Sequence, residues 1–181
     1  MPSSHRFSRV SGASSLGAAM CWLATLPVAV AQAPSITVTG GSAENVPGTY
    51  ASGTYASVTV SGTGAAGERS TLSIDAPLEF DNSAGQALSV TDGGLVNVNA
   101  DVKAATFRSG TVGNGGTLNL LSGTFQIQGM ELSGTAAFQR APGAVWAIDS
   151  LGISDGATVT YTAGDLLGSG GGAPLNDEVP F

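Results

Sequence analysis

The stretch Leu88–Val102, "LSVTDGGLVNVNADV", decides how this chain folds. Leu88/Val90 and Val96/Val98 are apolar pairs separated by one polar residue, the period of two that a half-buried strand shows. Between them lies Thr91-Asp92-Gly93-Gly94, a turn signal built from the residue types that tolerate left-handed backbone. Strand, tight turn, strand is therefore the local unit, with strands of about 3 to 6 residues, at the short end of the usual range.

The same unit recurs in both directions along the chain. Ile36/Val38, Val58/Val60, Leu72/Ile74 and Leu78/Phe80 precede it. Leu118/Leu120, Phe125/Ile127, Met130/Leu132, Leu151/Ile153 and Val159/Tyr161 follow it. Gly113-Asn114-Gly115-Gly116, Leu121-Ser122-Gly123 and Ser154-Asp155-Gly156 supply further turns. No helical period appears after residue 33. Val58, Leu78, Val98, Leu118 and Phe138 fall 20 residues apart, with Val60, Phe80, Ala100 and Leu120 one alternation later until Arg140 breaks the series. A fixed step of this size is the mark of a repeat architecture. The expected fold is all-β, a right-handed parallel β-helix of about six turns at ~20 residues per turn. In it, inward side chains stack into a continuous apolar column. The competing fold is a β-sandwich, which short strands at 8–12-residue spacing also suit.

Composition agrees with such a fold. Of 181 residues, 42% are hydrophobic and only 10% charged, with 27 Gly and 8 Pro. An ordinary soluble domain carries about a quarter charged residues, so charge-driven disorder is not the reading. The polarity comes instead from Ser, Thr, Asn and Gly.

Residues 1–33 read as a secretory signal peptide. His5, Arg6 and Arg9 precede an apolar run from about Leu16 to Val30, and Ala29-Val30-Ala31-Gln32-Ala33 offers small-x-small cleavage. Cleavage after Ala33 would leave a chain beginning at Pro34. The run contains Thr25 and Pro27 and falls short of the ~20 apolar residues of a spanning helix, so stable membrane insertion is not expected. The only histidine, His5, and the only cysteine, Cys21, lie in this segment. The exported chain would then hold no disulfide, no Cys/His zinc site, no Cys-His nucleophile and no Ser-His-Asp triad. Its four basic residues, Arg69, Lys103, Arg108 and Arg140, stand against 13 acidic ones, a net charge of −9 that disfavours nucleic acid as a partner.

Three further segments follow from the pattern. Residues 34–57 read as an N-terminal cap region containing "GTYASGTYASV". Gly53 is expected to turn the chain so that Tyr50 and Tyr55 both cover the first turn. Residues 58–165 read as the repeat region and 166–181 as a flexible Gly-rich tail.

"ITVTGGSAENVPGTYASGTYASVTVSGTGA" after a cleaved leader, followed by "LSVTDGGLVNVNADV" and "GTLNLLSGTFQIQGMELSG", resembles the N-terminal passenger region of Gram-negative type V autotransporters of the pertactin-like kind. That resemblance implies a β-helical passenger exported through a C-terminal outer-membrane translocator barrel. It also implies an adhesin or other virulence role toward a host or cell-surface ligand. A barrel of about eight or more alternating strands is expected from the family but absent up to Phe181. The expectation is a truncated autotransporter held in the periplasm, or a chain reaching the cell surface or secreted if joined to a translocator.

Chemistry-bearing residues are few. Asp75, Glu79 and Asp81 form the one tight carboxylate cluster. Glu79 and Asp81 flank Phe80 on one strand face about 7 Å apart, a separation that suits paired-carboxylate glycoside hydrolysis. The alternative function is thus a carbohydrate-active β-helix enzyme using that pair. Against it, an outward face between inward Leu78 and Phe80 carries charge for solubility alone. Asp92, Asn97, Asn99 and Asp101 present oxygen ligands of the calcium type, but without the glycine-aspartate nonapeptide of calcium-binding rolls; turn formation and an outward asparagine stack explain them. No cofactor, metal or catalytic residue is expected. Trp146, between Val145, Ala147 and Ile148, reads as core or corner packing.

Overall fold

A computed structural model describes residues 32–81, 85–104 and 108–160. Most of the signal segment and the whole Gly-rich tail lie outside these residues. The described residues are all-β, with fifteen strands. They are β1 (Ser35–Thr39), β2 (Ala43–Val46), β3 (Gly53–Tyr55), β4 (Ser57–Ser61), β5 (Thr71–Ile74), β6 (Leu78–Phe80), β7 (Gly85–Thr91) and β8 (Leu95–Val98). There follow β9 (Val102–Ala104), β10 (Arg108–Val112), β11 (Thr117–Leu120), β12 (Thr124–Leu132), β13 (Ala137–Arg140), β14 (Val145–Ile153) and β15 (Thr158–Thr160).

Every pairing between these strands is parallel, and each strand pairs with the one reached after a full circuit. Strands β1, β4, β7, β10, the second half of β12 and the second half of β14 stack as face one. Strands β2, β5, β8, β11, β13 and β15 stack as face two. Strands β3, β6, β9 and the first halves of β12 and β14 stack as face three. The result is a parallel β-helix of five complete turns with two strands of a sixth. The β-sandwich alternative is excluded, because a sandwich is built from antiparallel pairs.

Tight turns drive each circuit from face one to face two. Hydrogen bonds close Thr39–Ser42, Thr91–Gly94, Gly113–Gly116, Ser133–Ala136 and Ser154–Ala157 between the first and fourth residues, at 2.8 to 3.3 Å. In four of the five, both central residues have positive φ: Gly40/Gly41, Asp92/Gly93, Asn114/Gly115 and Asp155/Gly156. Asp and Asn bear that conformation because their short side chains bond locally.

Inward positions form the core. Leu72, Val96, Leu118 and Phe138 stack on face two, and Val38, Val60, Val90, Val112 and Leu132 on face one, all at most 1% exposed. At the first turn Glu44 takes the position facing Leu72, so the apolar column of face two begins with a charge. Trp146 continues the face-three column of Leu78, Val102 and Phe125 and stacks on Phe138 at 5.2 Å, consistent with packing.

Two expectations need correction. The uniform 20-residue series holds only late in the chain: Leu118 does face Phe138, but Val58 faces Leu88, Leu78 faces Val102 and Val98 faces Leu120. The physical reason is the loop 62–70 in the second turn, where the other circuits use a two-residue turn. Its extra length delays the return of face one by 30 residues. Segment 34–57 was expected as a cap, yet β1, β2 and β3 take rung register within it. The two tyrosines divide their roles. Tyr55 is buried above Phe80 with its hydroxyl donating to Ala51 O at 2.7 Å, whereas the half-buried Tyr50 packs on the core and donates to Thr37 O at 3.1 Å.

Candidate functional site

The three faces turn different chemistry outward. Face one displays hydroxyls, Thr37, Thr59, Ser89 and Thr111 being successive neighbours across β1, β4, β7 and β10. Face two displays Asn45, Ser73, Asn97, Asn119 and Gln139 in one column. There Asn119 donates from Nδ2 to Asn97 Oδ1 at 2.9 Å, so the amides are stacked partners as the outward asparagine stack requires. Face three alone carries opposite charges on adjoining rungs. Its outward column runs Thr54, Glu79, Lys103, Gln126 and Ala147.

Why the column is outward follows from its flanks. In β6 Leu78 and Phe80 are 0% and 4% exposed and point inward, which forces Glu79 to the solvent side. In β9 Val102 does the same for Lys103, and in β12 Phe125 and Ile127 do it for Gln126. Parallel neighbours lie about 4.8 Å apart, so these four side chains form a ladder of carboxylate, ammonium, amide and hydroxyl. A groove of about 450 Å³ runs along it, lined by Thr54, Glu79, Phe80, Asp81, Lys103, Ala104 and Gln126.

Glu79 and Asp81, paired in the sequence reading, both line this groove but have different surroundings. Glu79 is exposed on the ladder. Asp81 is half-buried, its amide donates to Tyr55 O at 2.9 Å, and its Oδ1 lies 3.9 Å from Nη1 of Arg108. Arg108 is 2% exposed, and its Nη2 donates to Ala56 O and, at 3.5 Å, to Gln86 O. A buried guanidinium is tolerated where acceptors and a counter-charge surround it. Arg108 thereby ties the corner between faces three and one across three turns, and Asp81 is part of that tie. The calcium-type residues are dispersed. Asp92 sits in a turn, Asn97 on face two, and Asn99 donates to Asp75 Oδ1 at 2.6 Å. Asp101 Oδ1 accepts from Thr124 N at 2.8 Å. Among the described residues no group of three or more His, Cys, Asp or Glu is placed to hold a metal ion.

Sequence reasoning overlooked Lys103 and Arg108 as site residues. A signal for Lys103 was present, since it follows Glu79 by one circuit of 24 residues, but a uniform step of 20 misses that stack. Arg69 was missed too. It projects from the loop 62–70, where Thr63 and Arg69 bridge antiparallel. Its guanidinium donates to Gly93 O, Gly94 O, Gly115 O and Thr117 Oγ1 at 2.6 to 3.2 Å, binding the turns of the next two circuits together.

No protein-family model, curated protein or solved structure matches this chain.

Proposed function

We propose that the chain is an exported, non-enzymatic passenger-type β-helix that acts as an adhesin or surface-interaction module. The observation that carries this reading is the surface itself: long polar columns on flat lateral faces, of the kind repeat proteins use as extended binding surfaces. The leader-like segment 1–33 supports export, and the resemblance to autotransporter passengers supports the cell surface as the place of action. Ordinary use of Asp81 as a counter-charge to Arg108 argues against a catalytic pair.

The test is made on the full chain expressed in a Gram-negative cell. Mass spectrometry of the fractionated protein should find an N-terminus at Pro34 outside the cytoplasm, and the purified product should bind cell surfaces without degrading polysaccharides. A cytoplasmic protein that keeps Met1 would overturn export. The second reading, a carbohydrate-active enzyme, is favoured by the shared groove of Glu79 and Asp81. It requires polysaccharide cleavage that Glu79→Ala and Asp81→Ala each abolish.

A further inference from the structure

Outward polar groups on faces one and two find partners on the protein itself. Ser57 Oγ donates to Ser35 Oγ at 2.9 Å on face one, and the Asn119–Asn97 bond spans face two. On face three the ladder differs. Among the described residues, Thr54, Glu79, Lys103 and Gln126 make no side-chain hydrogen bond or ion pair, although Glu79 and Lys103 are register neighbours of opposite charge. All four are exposed along one groove.

A ligand that satisfies this ladder must meet several demands together. A carboxylate only accepts hydrogen bonds, an ammonium only donates them, and a hydroxyl or amide does both. A vicinal diol answers both charges, donating its protons to Glu79 and offering its oxygens to Lys103. Asp81 and Glu79 repel a polyanion, and the net charge of −9 over residues 34–181 does so at long range. Lys103 repels a polycation. The groove lies within the range of about 300 to 1,000 Å³ typical of small-ligand sites, and its polar groups recur about every 4.8 Å. An extended chain of pyranoses also presents its hydroxyls at an interval close to one rung.

We infer that the face-three groove binds a neutral, linear oligosaccharide, laid along the solenoid axis and held by Glu79, Lys103, Gln126 and Thr54. The inference rests on the reading of the protein as a surface-interaction module and names the chemistry of its ligand. No aromatic ring stands exposed on the groove to stack on a sugar, Phe80 being buried. The affinity is accordingly weak for a single site, with Kd of about 1 mM.

The experiment is a two-dimensional amide NMR titration of the exported chain with cellohexaose, mannohexaose and a hexameric polygalacturonate. Perturbations by a neutral hexamer should centre on Thr54, Glu79, Lys103 and Gln126. Glu79→Gln and Lys103→Met should each weaken binding tenfold or more, while Asn97→Ala on face two leaves it unchanged. These positions are exposed, and an otherwise unchanged spectrum shows that the variants remain folded. Perturbations centred on another face, tighter binding of the polygalacturonate, or no response to either neutral hexamer would overturn the inference. Release of shorter sugars during the titration would replace it with catalysis. A silent groove on a protein that still adheres to cells defeats this inference alone. A cytoplasmic protein defeats the export reading alone.

Discussion

At the residue scale, two glycines separate steric exclusion from backbone strain. A Cβ at Gly116 would lie 2.2 Å from Val90 O, the carbonyl that ends a neighbouring rung, whereas one at Gly143 would meet nothing within 4 Å but would sit at φ 82°. Gly116→Ala should therefore cost about 3 kcal/mol or more, because backbone must move. Gly143→Ala should cost about 1–2 kcal/mol, the strain of a left-handed residue. Urea midpoints read both, and equal losses would contradict this packing. Arg108 makes a second residue-scale case. Arg108→Ala strips donors from Ala56 O and Gln86 O in a closed corner and should destabilise by about 3 kcal/mol or more. Asp81→Asn should cost about 1 kcal/mol, since Asp81 is partly solvated and its contact is long. The reverse order would make Asp81 the keystone and reopen its candidacy for catalysis. Arg108 could not be read from the sequence, because charge is visible there and burial is not. The corner that encloses it exists only after three circuits stack.

Among the elements, the strands with two alternating apolar residues were legible, as Val96/Val98 in β8 and Leu118/Leu120 in β11 show. Strands with a single inward apolar anchor were not. β3 and β9 rest chiefly on Tyr55 and Val102, and β10 has Gly110 at an inward position where Met130 fills the space. The candidate site suffered from this loss, since Lys103 sits on one of the unread strands. The loop 62–70 looked like an ordinary connection, yet its Arg69 serves as a clasp over four acceptors. Arg69→Ala should lower hydrogen-exchange protection in the turns 91–94 and 113–116 about tenfold, the equivalent of roughly 1.4 kcal/mol, and leave the amides of β14 unaffected. Uniform loss of protection along the chain would show that Arg69 acts on global stability instead.

For the whole molecule, alternation and turn chemistry made a parallel solenoid readable, but not its register. A periodic reading assumes equal rungs, and the loop 62–70 makes them unequal, so only the regular late circuits obeyed the 20-residue step. The first turn adds a safeguard of its own. Glu44 stands where the column below holds Leu72 and Val96, and an inward charge at an edge discourages another strand from docking there. Glu44→Val should increase self-association in sedimentation velocity relative to the parent chain, and an unchanged distribution would remove that role from Glu44.

The central claim is the stacking register, and distances along one column test it most directly. Spin labels on cysteines placed pairwise at Thr37, Thr59, Ser89, Thr111 and Gly152, in a Cys21→Ser background, mark rungs one, two, three, four and six. Pulsed electron-spin measurements should give separations that grow linearly by about 4.8 Å per rung, so that Thr37 and Thr111 lie about 14 Å apart and Thr37 and Gly152 about 24 Å apart. Separations that fail to grow with rung number, or that follow a uniform 20-residue step instead, would contradict the fold from which the groove and its ladder are drawn.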